Sequence, residues 1–140
     1  HLYADYLNIF DSLKSDHEKL AAIWSVSNLV PLNYIESGNR KKIKLTYYED
    51  LIINPKKELN EIFHFMDQPV PDGIYDRVNI PSKTTIDGSP VLKGGNQLES
   101  WKTKLTKAQQ NEIIEVINKF NIYNYSLDEM PCKINRFDEN

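Results

Sequence analysis

The chain is short of several things, and each shortage excludes something. It holds one cysteine, Cys132, so neither an internal disulfide nor a cysteine-based metal cluster can form. Its three histidines, His1, His17 and His64, are scattered, and nothing has metal-ligand spacing, so no metal is expected. Basic charge is not in excess: 17 Lys and Arg against 20 Asp and Glu leave a formal net charge of −3. No broad positive field invites nucleic acid, and the short cluster Arg40, Lys41, Lys42 and Lys44 lacks interleaved aromatic stacking residues. No apolar run approaches the roughly 20 residues that cross a bilayer, which points to a soluble domain of unassigned location. No signal peptide is visible. The first residue is His1 rather than Met, so a preceding segment is expected.

What is present is ordinary globular material. The 140 residues are 40% hydrophobic and 26% charged, enough for one domain with a core, expected over 1–126 with a polar tail over 127–140 that frays. Tyr3 to Leu13 reads as a helix with Tyr6, Leu7 and Phe10 on one stripe. Ser15 and Glu18 form a capping box that opens a helix through Leu29 and Val30. Apolar residues surround most of that helix, so burial on several sides is expected, with Trp24 in the core and Pro31 kinking or ending it. Gly38 and Asn39 break the pattern.

Ile43 to Tyr48, β-branched and aromatic, reads as a strand. Asn54 and Pro55 open the next helix as side-chain cap and first-turn proline, with Leu59, Ile62, Phe63 and Met66 as its stripe and Pro69-Val70-Pro71 as its stop. A short helix is expected within Gly73 to Val78, and a long loop over Pro81 to Ser100. Thr106 and Gln109 form a second capping box, opening a helix with Ile113, Ile114, Ile117 and Phe120 on one face. The result is mainly α with a single convincing strand. A lone strand leaves both rows of backbone groups without ladder partners. It therefore calls for a missing N-terminal part or for a second chain pairing with it.

Lys44 to Leu51 contains Tyr48-Glu49-Asp50-Leu51, followed by Asn54-Pro55 and a helix ending in Phe63-His64-Phe65-Met66. A hydroxyl-rich loop follows (Ser82, Lys83, Thr84, Thr85), then Lys93-Gly94-Gly95, then Ser100-Trp101-Lys102. In this order the pieces resemble sulfotransferases that use 3'-phosphoadenosine-5'-phosphosulfate (PAPS), over roughly Ile43 to Tyr125. The lysine–glycine segment stands two residues further from the tryptophan than in the cytosolic enzymes of that family. Leu92 stands where they have arginine, and Ser100 where they have an acidic residue.

The resemblance implies the C-terminal part of an α/β, P-loop-like three-layer fold, with the phosphosulfate loop and the general base lying outside these residues. It further implies that Tyr48 meets the adenine side of the cofactor and that Ser82 and Thr84 bond adenine or ribose. Lys93 with the amides of Gly94 and Gly95 would hold a phosphate, and the acceptor would be an unidentified hydroxyl or amine. No catalytic residue is assigned within the chain. Trp101 reads as a packing anchor, and Glu49 and Asp50 as salt-bridge or cap carboxylates. The sequon Asn124-Tyr125-Ser126 is a short, chance-prone motif. The rival expectation is a non-catalytic helical interaction module derived from such a fold.

Overall fold

Two capping boxes set the longest helices. The structure, a computed structural model, describes residues 4–39, 41–78, 80, 81, 85, 92 and 95–132. A 3₁₀ turn, Ala4–Tyr6, leads into α1 (Leu7–Ser12). Helix α2 (Asp16–Glu36) starts where the Ser15 hydroxyl accepts the Glu18 N–H at 3.3 Å. Glu18 Oε2 in return accepts the Ser15 N–H at 2.7 Å. Further on come α3 (Tyr48–Ile53), α4 (Pro55–Phe65), a 3₁₀ turn Tyr75–Arg77, α5 (Ser100–Lys104) and α6 (Lys107–Lys119). At α6 the same reciprocal pair joins Thr106 and Gln109. The chain divides into two units, His1–Ile43 with Leu105–Asn140, and Lys44–Lys104.

The first unit is built on α2 against α6. Ala21 and Ala22 present small side chains, and Val116, Ile117, Phe120 and Ile122 complete the buried cluster. Phe120 is fully buried, with the Tyr6 ring stacked on it at 5.1 Å and the Phe10 ring edge-on at 6.0 Å. Leu7, expected on that stripe, is exposed; Ile9 and Leu13 pack there instead. Asn121 takes a left-handed φ of 59° just past α6, a conformation asparagine tolerates, and the reversal carries Ile122 into the core. Gly38, at φ 90°, is also left-handed and follows the end of α2.

Three expectations for α2 are corrected. The helix is buried on one side only, along Ala21, Ala22, Ser25 and Leu29. Its opposite face, Leu20, Ile23, Trp24, Val30 and Tyr34, is exposed. Trp24 is therefore not a core residue: at 38% exposure it meets the Tyr125 ring edge-on at 5.3 Å. Of the two effects expected of Pro31, a kink or an end, the end is ruled out, since α2 runs five residues beyond it to Glu36.

The expected strand is overturned as well. Residues 43–47 carry no ladder, and Tyr48 is the first residue of α3. Tyr47 is extended (φ −90°, ψ 135°), but its carbonyl accepts the Leu51 N–H at 3.3 Å. Glu49 and Asp50 fall in the first helical turn, where negative charge suits the helix dipole. β-Branched and aromatic residues favour a strand only when a neighbour supplies hydrogen bonds and a face to pack on. Among the described residues none does: the chain is helical, has no strand, and does not form the α/β three-layer fold.

In the second unit α3 and α4 are joined at Asn54, whose side chain makes no capping bond, contrary to expectation, although Pro55 does occupy the first turn. Helix α4 stops before Pro69. Asp67 turns left-handed at φ 53°, its N–H reaches the His64 carbonyl at 3.0 Å, and the Gln68 N–H reaches that of Phe63 at 3.0 Å. This is a Schellman stop made without glycine. The turn Tyr75–Arg77 folds back on α4, with the Tyr75 hydroxyl donating to Asn60 Oδ1 at 2.5 Å and Lys56 Nζ 5.6 Å above the Tyr75 ring. Leu59, Ile62 and Phe63 are half-buried and Met66 is exposed. No apolar side chain among the described residues of this unit is fully buried.

Candidate functional site

Tyr48 stands where the irregular stretch 43–47 turns into α3, and 54% of it is exposed. Its hydroxyl donates to Gln97 Oε1 at 3.0 Å, across 49 positions of sequence. Gln97 sits on a short turn braced by its neighbour: Asn96 Nδ2 donates to Glu99 Oε2 at 2.6 Å, and Asn96 Oδ1 accepts the Leu98 N–H at 3.0 Å. The Lys102 N–H bonds the Glu99 carbonyl at 2.9 Å, joining the turn to α5. Within the expected loop over Pro81 to Ser100, this turn is thus ordered structure.

Of the other expected cofactor residues, Gly95 is described, exposed and two positions before Gln97. Ser82, Thr84, Lys93 and Gly94 lie outside the described residues. Sequence reasoning missed Gln97, and no motif marks it. Trp101 is half-buried, with Lys102 Nζ 5.7 Å from its ring centre. Glu49, expected as a cap or salt-bridge carboxylate, has a buried Oε2 with no hydrogen-bond partner among the described residues.

Charge in this unit gathers on α4. Lys44 Nζ bonds Glu61 Oε2 at 2.9 Å, and Lys57 Nζ lies 3.9 Å from Glu61 Oε1. The Lys44 hydrogen bond, then its charge, holds the Glu61 carboxyl below the ordinary range. Ile53, Asn54, Pro55, Lys56, Lys57, Asn60 and Glu61 line an open groove of about 610 Å³. Lysines and a carboxylate share its wall, so it favours neither sign of ligand.

In the first unit His17 Nε2 lies 3.0 Å from Ser15 Oγ and 2.5 Å from Glu112 Oε2. Serine, histidine and carboxylate in contact suggest nucleophilic catalysis, but a triad uses opposite ring nitrogens for the two partners. Here both meet Nε2, and the hydroxyl is engaged in capping α2. The cluster ties helices together. The sequon is also engaged: Asn124 Nδ2 donates to the Cys132 carbonyl at 3.2 Å, and the Cys132 N–H donates to the Asn124 carbonyl at 2.7 Å. Among the described residues there is no group of three potential metal ligands, and no helix is long and apolar enough to cross a membrane.

Compared with known proteins, the chain matches no family model, no curated protein and no solved structure.

Proposed function

We propose that this chain supplies the cofactor-covering part of a protein that transfers a sulfuryl group from PAPS to a hydroxyl or amine acceptor. One observation supports it beyond the order of motifs. The two segments that carry the resemblance, around Tyr48 and around Gly95 to Trp101, are tied by the Tyr48–Gln97 hydrogen bond. An exposed aromatic ring beside a braced turn offers a surface on which a purine face can stack. In the reaction the acceptor oxygen or nitrogen attacks sulfur and loses its proton to a general base. The bond from sulfur to the phosphate oxygen breaks, and adenosine 3',5'-bisphosphate leaves. Developing charge would be held by amides and basic groups, as in phosphoryl transfer. No residue of this chain is assigned the base.

The test uses the protein as its gene encodes it, with whatever flanks these residues. Lys93→Ala should weaken adenosine 3',5'-bisphosphate roughly ten-fold to a hundred-fold while leaving adenosine 5'-phosphate unchanged, because only the first presents the extra anion. Tyr48→Ala should weaken both alike. Unchanged affinities for Lys93→Ala would remove the phosphate assignment.

A second reading, a non-catalytic interaction module, is favoured by the exposed apolar face of α2. It requires a stable fold with no affinity for either nucleotide.

A further inference from the structure

Tyr48 has a mobility problem. A tyrosine ring more than half exposed at the start of a six-residue helix has little packing to choose its rotamer. A ring meant to receive a flat ligand must be ordered on binding, and that ordering subtracts from affinity. The ring is restrained at its far end by Gln97. Gln97 is itself restrained, since Asn96 braces the turn on both sides with bonds to Glu99 and Leu98. Among the described residues the Gln97 side chain has no other partner, so its amide serves Tyr48 alone.

We infer that Gln97 is the positioning residue of the nucleotide site, fixing where the Tyr48 ring points before the adenine arrives. The inference rests on the PAPS reading above and assigns a role to a residue outside the motifs that suggested it. Gln97 acts through Tyr48 and touches no reacting atom. Because both side chains belong to one hydrogen bond, deleting either end loses the same thing, and deleting both loses nothing more.

The experiment measures adenosine 3',5'-bisphosphate affinity in the gene-encoded protein, its Gln97→Leu and Tyr48→Phe variants and the double variant. Each single variant should bind about three- to tenfold more weakly, and the double no more weakly than either. Gln97→Glu keeps an acceptor for the Tyr48 hydroxyl. It should hold uncharged adenosine at wild-type affinity where Gln97→Leu does not. A 3-fluorotyrosine at position 48 supplies a readout that folding alone would not move: its fluorine shift should already stand away from the free-amino-acid position in unliganded wild type and return toward it in unliganded Gln97→Leu. If Gln97→Leu binds like wild type while Tyr48→Ala does not, the positioning role is wrong and the nucleotide reading stands. A Gln97→Leu variant with a lowered melting temperature and a wild-type fluorine signal would assign Gln97 to folding and also overturn the role. If wild type binds neither nucleotide nor adenosine, the nucleotide reading itself falls, and the positioning role with it.

Discussion

His17 Nε2 lies 2.5 Å from Glu112 Oε2, so the first turn of α2 is fastened to the middle of α6 by one polar contact beside the apolar seam. The histidine is 20% exposed and the glutamate 46%, a setting in which water and salt weaken the pair. A double-mutant cycle with His17→Ala and Glu112→Ala, read by urea unfolding, should return a coupling of about 0.5–1 kcal/mol. A coupling indistinguishable from zero would mean that the contact is incidental to the helix pair.

Glu18 gives a pH-dependent expectation. The Ser15 N–H first, then the Ser15 hydroxyl and the Lys14 N–H, pull its carboxyl from an ordinary 4.5 down to about 2. A carboxyl depressed in the folded state adds stability that is present above the unfolded value and lost as pH falls through the folded one. Wild type should therefore lose its advantage over Glu18→Gln between pH 4.5 and about 2. Unfolding curves for both proteins across that range check this; parallel curves would refute it. Ser15→Ala, which removes the cap itself, should cost about 1 kcal/mol at neutral pH.

Phe120 is the residue the first unit can least spare. It is fully buried under Tyr6 and Phe10, so Phe120→Ala should cost roughly 3–5 kcal/mol by lost transfer energy and by the cavity left behind. Phe63→Ala in α4, at a half-buried position, should cost clearly less. Calorimetry on the two variants decides the order.

The outward face of α2 should tolerate charge. Leu20 is 65% exposed, and Leu20→Glu with Ile23→Lys should change monomer stability by no more than about 0.5 kcal/mol per site. A collapse of the melting transition would show that this face is covered in solution.

Amide exchange should separate the two units. With no fully buried apolar side chain among its described residues, Lys44–Lys104 has little to resist local opening. Amides of α4 should exchange well before those of α6. Equal protection would point to burial that the second unit gains from elsewhere.

What could be read in the sequence was what neighbours in sequence decide. The boxes at Ser15 and Thr106 each close within three residues, and both formed. The left-handed break at Gly38 is a property of one residue. The failures needed distant partners. Ile43 to Tyr48 has strand composition, but a ladder requires a second strand, and the acidic pair turned Tyr48 into a helix start instead. Trp24 is hydrophobic, yet its side of α2 received no neighbour that buries it. Pro69-Val70-Pro71 would stop α4, but Asp67 makes the turn before the prolines are reached. In the candidate site, Tyr48 was legible through its motif. Gln97 was not, because nothing local announces a hydrogen bond spanning 49 positions.

Pro31 sits in a register of α2 that water can repair. Its ring has no N–H to give the carbonyl four residues earlier, which belongs to Ser27, an exposed residue on the outward face. Solvent can take the place of the missing donor there, and the helix carries on to Glu36. Two residues earlier the outcome reverses. Leu29→Pro would strip the carbonyl of Ser25, which is fully buried and beyond the reach of solvent, and the loss of about 3 kcal/mol or more would fall on the seam itself. The outward face of α2 is thus where this helix can carry a backbone defect without opening its core.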